Sequence, residues 1–216
     1  MGDGNRQYLT GLNMGGSRIA ILVDTSASML ANQVVNVIRL RSNDPAIQRQ
    51  SGKWTRTLDT VDWLIAQLPT SAQFQGIGFN TIAQPVIAGT ENIWLKVGDT
   101  EKLEEISTKL REQLPQGGTN LHNAFTKLNE LPSPPDTIFI LTDGLPTQGP
   151  ISTQRSTITG EERRKLFEQA IRFLPKGVPV NTILFPMVGD PYAPWAFWLL
   201  AGETRGSVLS PAPDWP

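Results

Sequence analysis

The sequence predicts an α/β fold built on a mostly parallel central sheet, and three observations carry that expectation. Short apolar runs recur along the 216 residues at 19–23 (IAILV), 74–79 (FQGIGF), 137–141 (TIFIL) and 180–185 (VNTILF). The first and third are nearly continuous, as in strands buried on both faces of a parallel sheet. Segments of helical period separate the runs, and such alternation favours right-handed crossovers.

Taken in order, 19–23 is the first strand. Residues 54–68 then place Trp54, Leu58, Val61, Leu64, Ile65 and Leu68 at spacings of three and four, which predicts a helix. After the strand at 74–79, the stretch 81–87 (TIAQPVI) follows little more than Asn80. Its Pro85 lacks an N–H, so the stretch reads as a hairpin return and one short antiparallel edge strand. Residues 100–114 repeat the helical period with Leu103, Ile106, Leu110 and Leu114 and carry charge on the other face. Further helices are expected at 120–131 and 161–174, and a last strand at 206–209. Two segments read as excursions, 42–53 (SNDPAIQRQSGK) and 145–160 (LPTQGPISTQRSTITG). Loops this long in a compact domain are often functional or disordered. Residues 1–16, glycine-rich and polar, read as a linker, 17–210 as the domain and 211–216 as a tail.

The length fits one domain, and 39% apolar residues suffice for a single core. The net charge of −1 offers no basic excess for nucleic acid. Arg39, Arg41, Arg49 and Lys53 are interleaved with polar residues and read as a solvated segment. The absence of cysteine excludes disulfides, thiolate metal sites and cysteine nucleophiles. No run is long enough for a transmembrane helix, so no membrane insertion by this segment is expected. The N-terminus lacks the apolar core of a signal peptide. The chain starts like an excised segment, so its compartment stays open.

The chemistry concentrates where strands end. Asp24-Thr25-Ser26-Ala27-Ser28 follows the first strand directly, putting a carboxylate and two hydroxyls at i, i+2 and i+4. Thr119 follows Gly117-Gly118, a pair that allows close backbone approach, and precedes the helix at 120, where it reads as an N-cap. Asp143 follows the third buried run. In an open α/β sheet, ligands bind beyond the carboxyl ends of the strands. If the strands ending in Asp24 and Asp143 are neighbours, their carboxylates reach one cation. All five side chains are hard oxygen donors, suited to Mg²⁺, Mn²⁺ or Ca²⁺ rather than zinc or copper.

Asp24, Ser26, Ser28, Thr119 and Asp143 together resemble the metal ion-dependent adhesion site (MIDAS) of von Willebrand factor A (vWA) domains. The family pattern is Asp-x-Ser-x-Ser, a distant Thr, then an Asp at a later strand end. The resemblance covers 17–210. It implies a Rossmann-like three-layer α/β/α fold and a divalent cation, Mg²⁺ before Mn²⁺ or Ca²⁺. Ser26, Ser28 and Thr119 would hold the cation directly, and Asp24 and Asp143 directly or through water. It implies a non-enzymatic adhesion or scaffolding module, part of a larger bacterial protein, that binds a Glu or Asp carboxylate of a protein partner. The extracytoplasmic part of a membrane-anchored protein is one setting. Family members enter the helix after the serines sooner than this chain does, so 30–53 reads as an insertion near the metal face. That segment and 145–160 are expected to set partner choice.

Two alternatives stand beside this reading: a Mg²⁺-dependent phosphohydrolase with Asp24 as nucleophile, and a scaffold with a vestigial site. The first lacks a second acid, since Ser26 stands where such enzymes carry Asp. His122 reads as a partly exposed helix residue, and Asn80 equally as a support for the site or an ordinary turn. Trp195, Phe197, Trp198, Leu199 and Leu200 read as core packing, while Trp94 and Trp215 have no assignable role.

Overall fold

The computed structural model describes residues 11, 12, 14–150, 158–212 and 215. The expected apolar runs form the sheet: β1 (Arg18–Asp24), β2 (Gln73–Phe79), β5 (Thr137–Thr142) and β6 (Val180–Leu184), with short strands β3 (Ala83–Pro85), β4 (Leu95–Lys96) and β7 (Val208–Leu209). The strand order is β3-β2-β1-β5-β6-β7, with β4 also paired to β2. β2, β1, β5, β6 and β7 run parallel to one another. The antiparallel edge is split in two, with β3 against the end of β2 and β4 against its start. Pro85 sits in β3, where its missing N–H costs no ladder bond.

Period-2 alternation sends side chains to both faces. Ile19, Ile21 and Val23 of β1, with Phe139 and Leu141 of β5, enter one core. Helix α3 (Gly52–Ala66) and helix α4 (Thr100–Glu112) cover that core through Trp54, Leu58, Leu64, Ile106 and Leu110. Ala20, Leu22, Ile138 and Ile140 enter the other. There α5 (Leu121–Leu128), α6 (Gly160–Ala170) and α7 (Ala193–Thr204) supply Phe125, Phe167 and Phe197. The result is three layers, α/β/α. Leu12 and Met14, inside the segment read as a linker, are buried in the first core. Trp215 lies edge-on to Trp63 at 4.9 Å between ring centroids, and Trp94 donates its indole N–H to Ser133 O.

Residues 30–53 are not a loop. A 3₁₀ turn (Ala27–Leu30) leads into α1 (Val34–Arg41) and α2 (Pro45–Arg49), which run directly up to α3. Arg39, Arg41 and Arg49 are exposed as expected, but Lys53 is buried. Of 145–160, residues 151–157 lie outside the described residues. Leu145 is fully buried in the second core. Helix α7 is only half core: Phe197 and Leu200 are buried, whereas Trp195 and Trp198 are 52% and 66% exposed. Among the described residues, no helix is long and apolar enough to cross a membrane.

Candidate metal centre

β1 is the turning point of the sheet. The chain passes from β1 to β2 on one side and later to β5 on the other, so a crevice opens where β1 and β5 end side by side. Asp24 and Asp143 both stand at that crevice. Beyond Asp24, Thr25 N–H and Oγ1 both donate to Phe79 O, which holds the turn against β2. Gln116 N–H donates to Thr25 O and Ala27 N–H to Gly117 O, drawing the 116–119 loop across. Gly117 has φ +74°, a left-handed conformation that a side chain would strain. A Cβ on Gly118 would stand 2.7 Å from Thr147 Oγ1, so this approach also requires glycine.

The five side chains singled out by the sequence meet here. Thr119 Oγ1 donates to Ser26 Oγ at 3.0 Å, the Ser26 and Ser28 hydroxyls lie 3.0 Å apart, and Ser28 Oγ donates to Asp143 Oδ1 at 2.9 Å. Asp24 Oδ1 accepts from Ser26 N–H at 2.9 Å. Thr119 does not cap α5. Asn120 does, accepting from Asn123 N–H at 3.1 Å, and the Thr119 hydroxyl is thereby left to the cluster.

Two further residues belong to the cluster and were not picked out from the sequence. Thr142 Oγ1 donates to Asp24 Oδ2 at 2.7 Å, and both groups are fully buried. The Lys53 ammonium, from the first turn of α3, contacts Asp143 Oδ2 at 2.5 Å and also donates to Ser28 O and Ala31 O. It corrects the reading of Lys53 as a solvated charge: the side chain is 4% exposed. Thr142 does carry a local signal, since it is a hydroxyl residue between the apolar run 137–141 and the strand-end Asp143. Nothing local marks Lys53, which reaches the site only through the placement of α3.

Burial and the neighbouring Asp143 carboxylate push the Asp24 carboxyl up from its ordinary value to about 7, against the opposing hydrogen bonds from Thr142 and Ser26. The pocket therefore gains from added positive charge. Its donors are two carboxylates and three hydroxyls, an oxygen-only set that fits a hard divalent cation. Among the described residues, no group of three or more His, Cys, Asp or Glu gathers, so an acid-rich or imidazole centre is not on offer.

Behind Asp143, Asp190 Oδ2 accepts from Leu145 N–H at 2.7 Å and pairs with Arg163 at 2.8 Å, anchoring the start of the 145–160 segment. Thr147 and Gln148 N–H both donate to Thr119 O. Asn80 forms the turn after β2: its Oδ1 accepts from Ile82 N–H, and its carbonyl accepts from Asn120 N–H beside the cluster. His122 packs edge-on to Phe173 at 4.2 Å, a structural role on α5.

The fold has many solved relatives in shape. A von Willebrand factor type A protein from Catenulispora acidiphila superposes with TM-score 0.62 at 16% identity over 92% of this chain, which spans 39% of that chain. The pilus adhesin SpaC from Lactobacillus rhamnosus GG gives 0.54 at 16% identity over 94% of this chain and 28% of its own. An aerotolerance-related membrane protein from Bacteroides fragilis gives 0.54 at 14% identity, covering 91% of this chain and 92% of its own. At these identities the likeness is one of fold. No curated protein matches in sequence. The family model described as von Willebrand factor type A domain matches residues 46–166, which include Thr119 and Asp143 but not the 24–28 turn. That match spans more than half of the sequence, and the chain belongs to the von Willebrand factor type A domain family.

Proposed function

We propose that the domain is a metal-dependent protein-interaction module in which Asp24, Ser26, Ser28, Thr119 and Asp143 hold one divalent cation, Mg²⁺ before Mn²⁺ or Ca²⁺. The observation that carries this reading is the hydrogen-bonded convergence of three hydroxyls and two buried carboxylates from three separate chain segments. A bound divalent cation supplies an electrophilic point of attachment for a carboxylate. The chain's own groups provide the setting: Thr142 fixes the Asp24 carboxylate, and the 116–119 loop holds the Thr119 hydroxyl against Ser26. The partner is a protein that offers a Glu or Asp. Ser26 stands where a phosphohydrolase would need a second acid, so the module binds and does not turn over substrate. The binding unit is the span 17–210 with Leu12 and Met14 packed against it. This chain spans 39% of the first structure it resembles.

The rim supports a protein partner. Helix α1, which follows the turn that carries Ser28, exposes Val34, Val35 and Ile38 (54%, 51% and 60%) beside the exposed Arg39 and Arg41, a mixed apolar and basic surface. Isothermal titration with Mg²⁺ and Mn²⁺ tests the site. Wild type binds one equivalent, and Asp24→Ala and Asp143→Ala bind none. Equal binding by all three would remove the assignment. Pull-down with and without EDTA then reads partner capture, which is expected only with metal.

A further inference from the structure

We propose that Lys53 is a built-in counter-cation that holds down the metal affinity of this centre. The proposal rests on the metal reading above and concerns a residue outside its five ligands. Both oxygens of Asp143 are already engaged, Oδ1 by the Ser28 hydroxyl and Oδ2 by the Lys53 ammonium at 2.5 Å. The ammonium is held on all sides. Ser28 O and Ala31 O each accept from it at 3.2 Å, and Met187 Sδ lies 4.0 Å away. Its three protons thus have acceptors, and two of those acceptors belong to the turn that carries Ser28. Backbone bonding fixes the setting, because Val188 N–H donates to Asn32 O and closes the 187–188 loop over the turn.

Charge arithmetic gives the consequence. With both carboxylates ionised, as they would be around a bound cation, one ammonium leaves the cluster one negative charge, against two without Lys53. A divalent cation entering here meets a like charge a few ångströms away, on a side chain only 4% exposed, where screening by water is weak and the repulsion correspondingly strong. It must also compete for Asp143 Oδ2 or work around it. An exit for the side chain exists: a surface cleft of about 420 Å³, lined by Leu30, Ala31, Asn32, Asn36, Arg39 and Lys53 itself, opens beside the turn.

A purely structural Lys53 predicts the opposite sign. If the ammonium only staples the 28–31 turn to Asp143, its removal loosens Ser28 and weakens metal binding. If it opposes the metal, its removal tightens binding. The experiment is titration of Mg²⁺ and Mn²⁺ into wild type, Lys53→Met, Lys53→Gln and Lys53→Arg, with thermal unfolding in EDTA in parallel. Lys53→Met keeps the length and apolar stem. Lys53→Gln serves if Met does not fold there, since its amide can still donate to the turn carbonyls. The expected result is that the neutral variants bind at least about tenfold tighter than wild type, melt lower in EDTA and gain more from metal. Lys53→Arg stays within a few-fold of wild type. Neutral variants that bind equally or more weakly than a metal-binding wild type overturn the Lys53 proposal and leave the metal centre standing. Tighter binding by Lys53→Arg also overturns it, because charge is then not the cause. If no form binds either metal, the centre itself falls, and this proposal with it.

Discussion

Thr142 shows how much a single hydroxyl does in this cluster. It ends β5, is fully buried, and gives its proton to Asp24 Oδ2 at 2.7 Å. A buried carboxylate deprived of a donor bears the desolvation cost of that oxygen. Thr142→Val, nearly the same shape, should therefore lower stability by about 1–3 kcal/mol, whereas Thr142→Ser, which keeps the donor, should lose less. Urea unfolding of the two variants in EDTA distinguishes them, and equal losses would mean that packing rather than the hydrogen bond is at stake. At this scale the sequence was informative wherever chemistry and chain position coincided. Asp24, Ser26 and Ser28 are close in sequence, and Asp143 ends an apolar run. Lys53 was illegible because its neighbours Gln50, Ser51 and Gly52 look like solvent-facing chain, and only the docking of α3 through the buried Trp54 turns its ammonium inward.

Elements tell a similar story at larger size. The long periodic helices and the buried strands could be read directly, because their apolar spacing and their burial have one cause. Helices α1 and α2 could not. Helix α1 buries only Val37 and turns Val34, Val35 and Ile38 outward, so its apolar pattern does not mark a core face. Helix α2 did carry a local start signal, Asp44 followed by Pro45, and Asp44 Oδ1 accepts from Ala46 N–H at 2.8 Å. The five-residue helix that follows is too short to show a period. Under the proposed function, this outward apolar face is where a partner would dock. Replacing Val34 and Ile38 together with Asp should change stability by no more than about 1 kcal/mol, since a single surface change usually stays within about 0.5 kcal/mol. Mg²⁺ binding should persist while partner capture falls. Unfolding, metal titration and pull-down on the same double variant check the three parts. Undiminished capture would remove α1 from the interface.

On the scale of the whole molecule, the decisive fact is that β1 and β5 are neighbours, a pairing across more than one hundred residues that no local pattern encodes. It brings together the 24–28 turn, Lys53, the 116–119 loop and Asp143, so the site exists only in the folded chain. Anything that binds there and not to the unfolded chain must stabilise the fold by mass action. Metal at about one hundred times its dissociation constant adds about 2.7 kcal/mol, and for a chain of this size each kcal/mol raises Tm by about 2–4 °C. Wild type should accordingly gain roughly 5–10 °C between EDTA and saturating Mg²⁺. Asp24→Asn, which removes the charge and keeps the shape, should gain little. Hydrogen exchange locates the effect. Amides that tie the site together, Ser26, Ala27 and Gln116, should slow more than those at the opposite end of the sheet, such as Gln73 and Asp136. Those distal amides donate to Ser17 O and Arg18 O at the far end of the sheet, where exchange by local fraying leaves the site intact and so is not slowed by bound metal. A Tm gain of equal size in Asp24→Asn, or protection strongest at the distal amides, would place the stabilising cation elsewhere on the molecule.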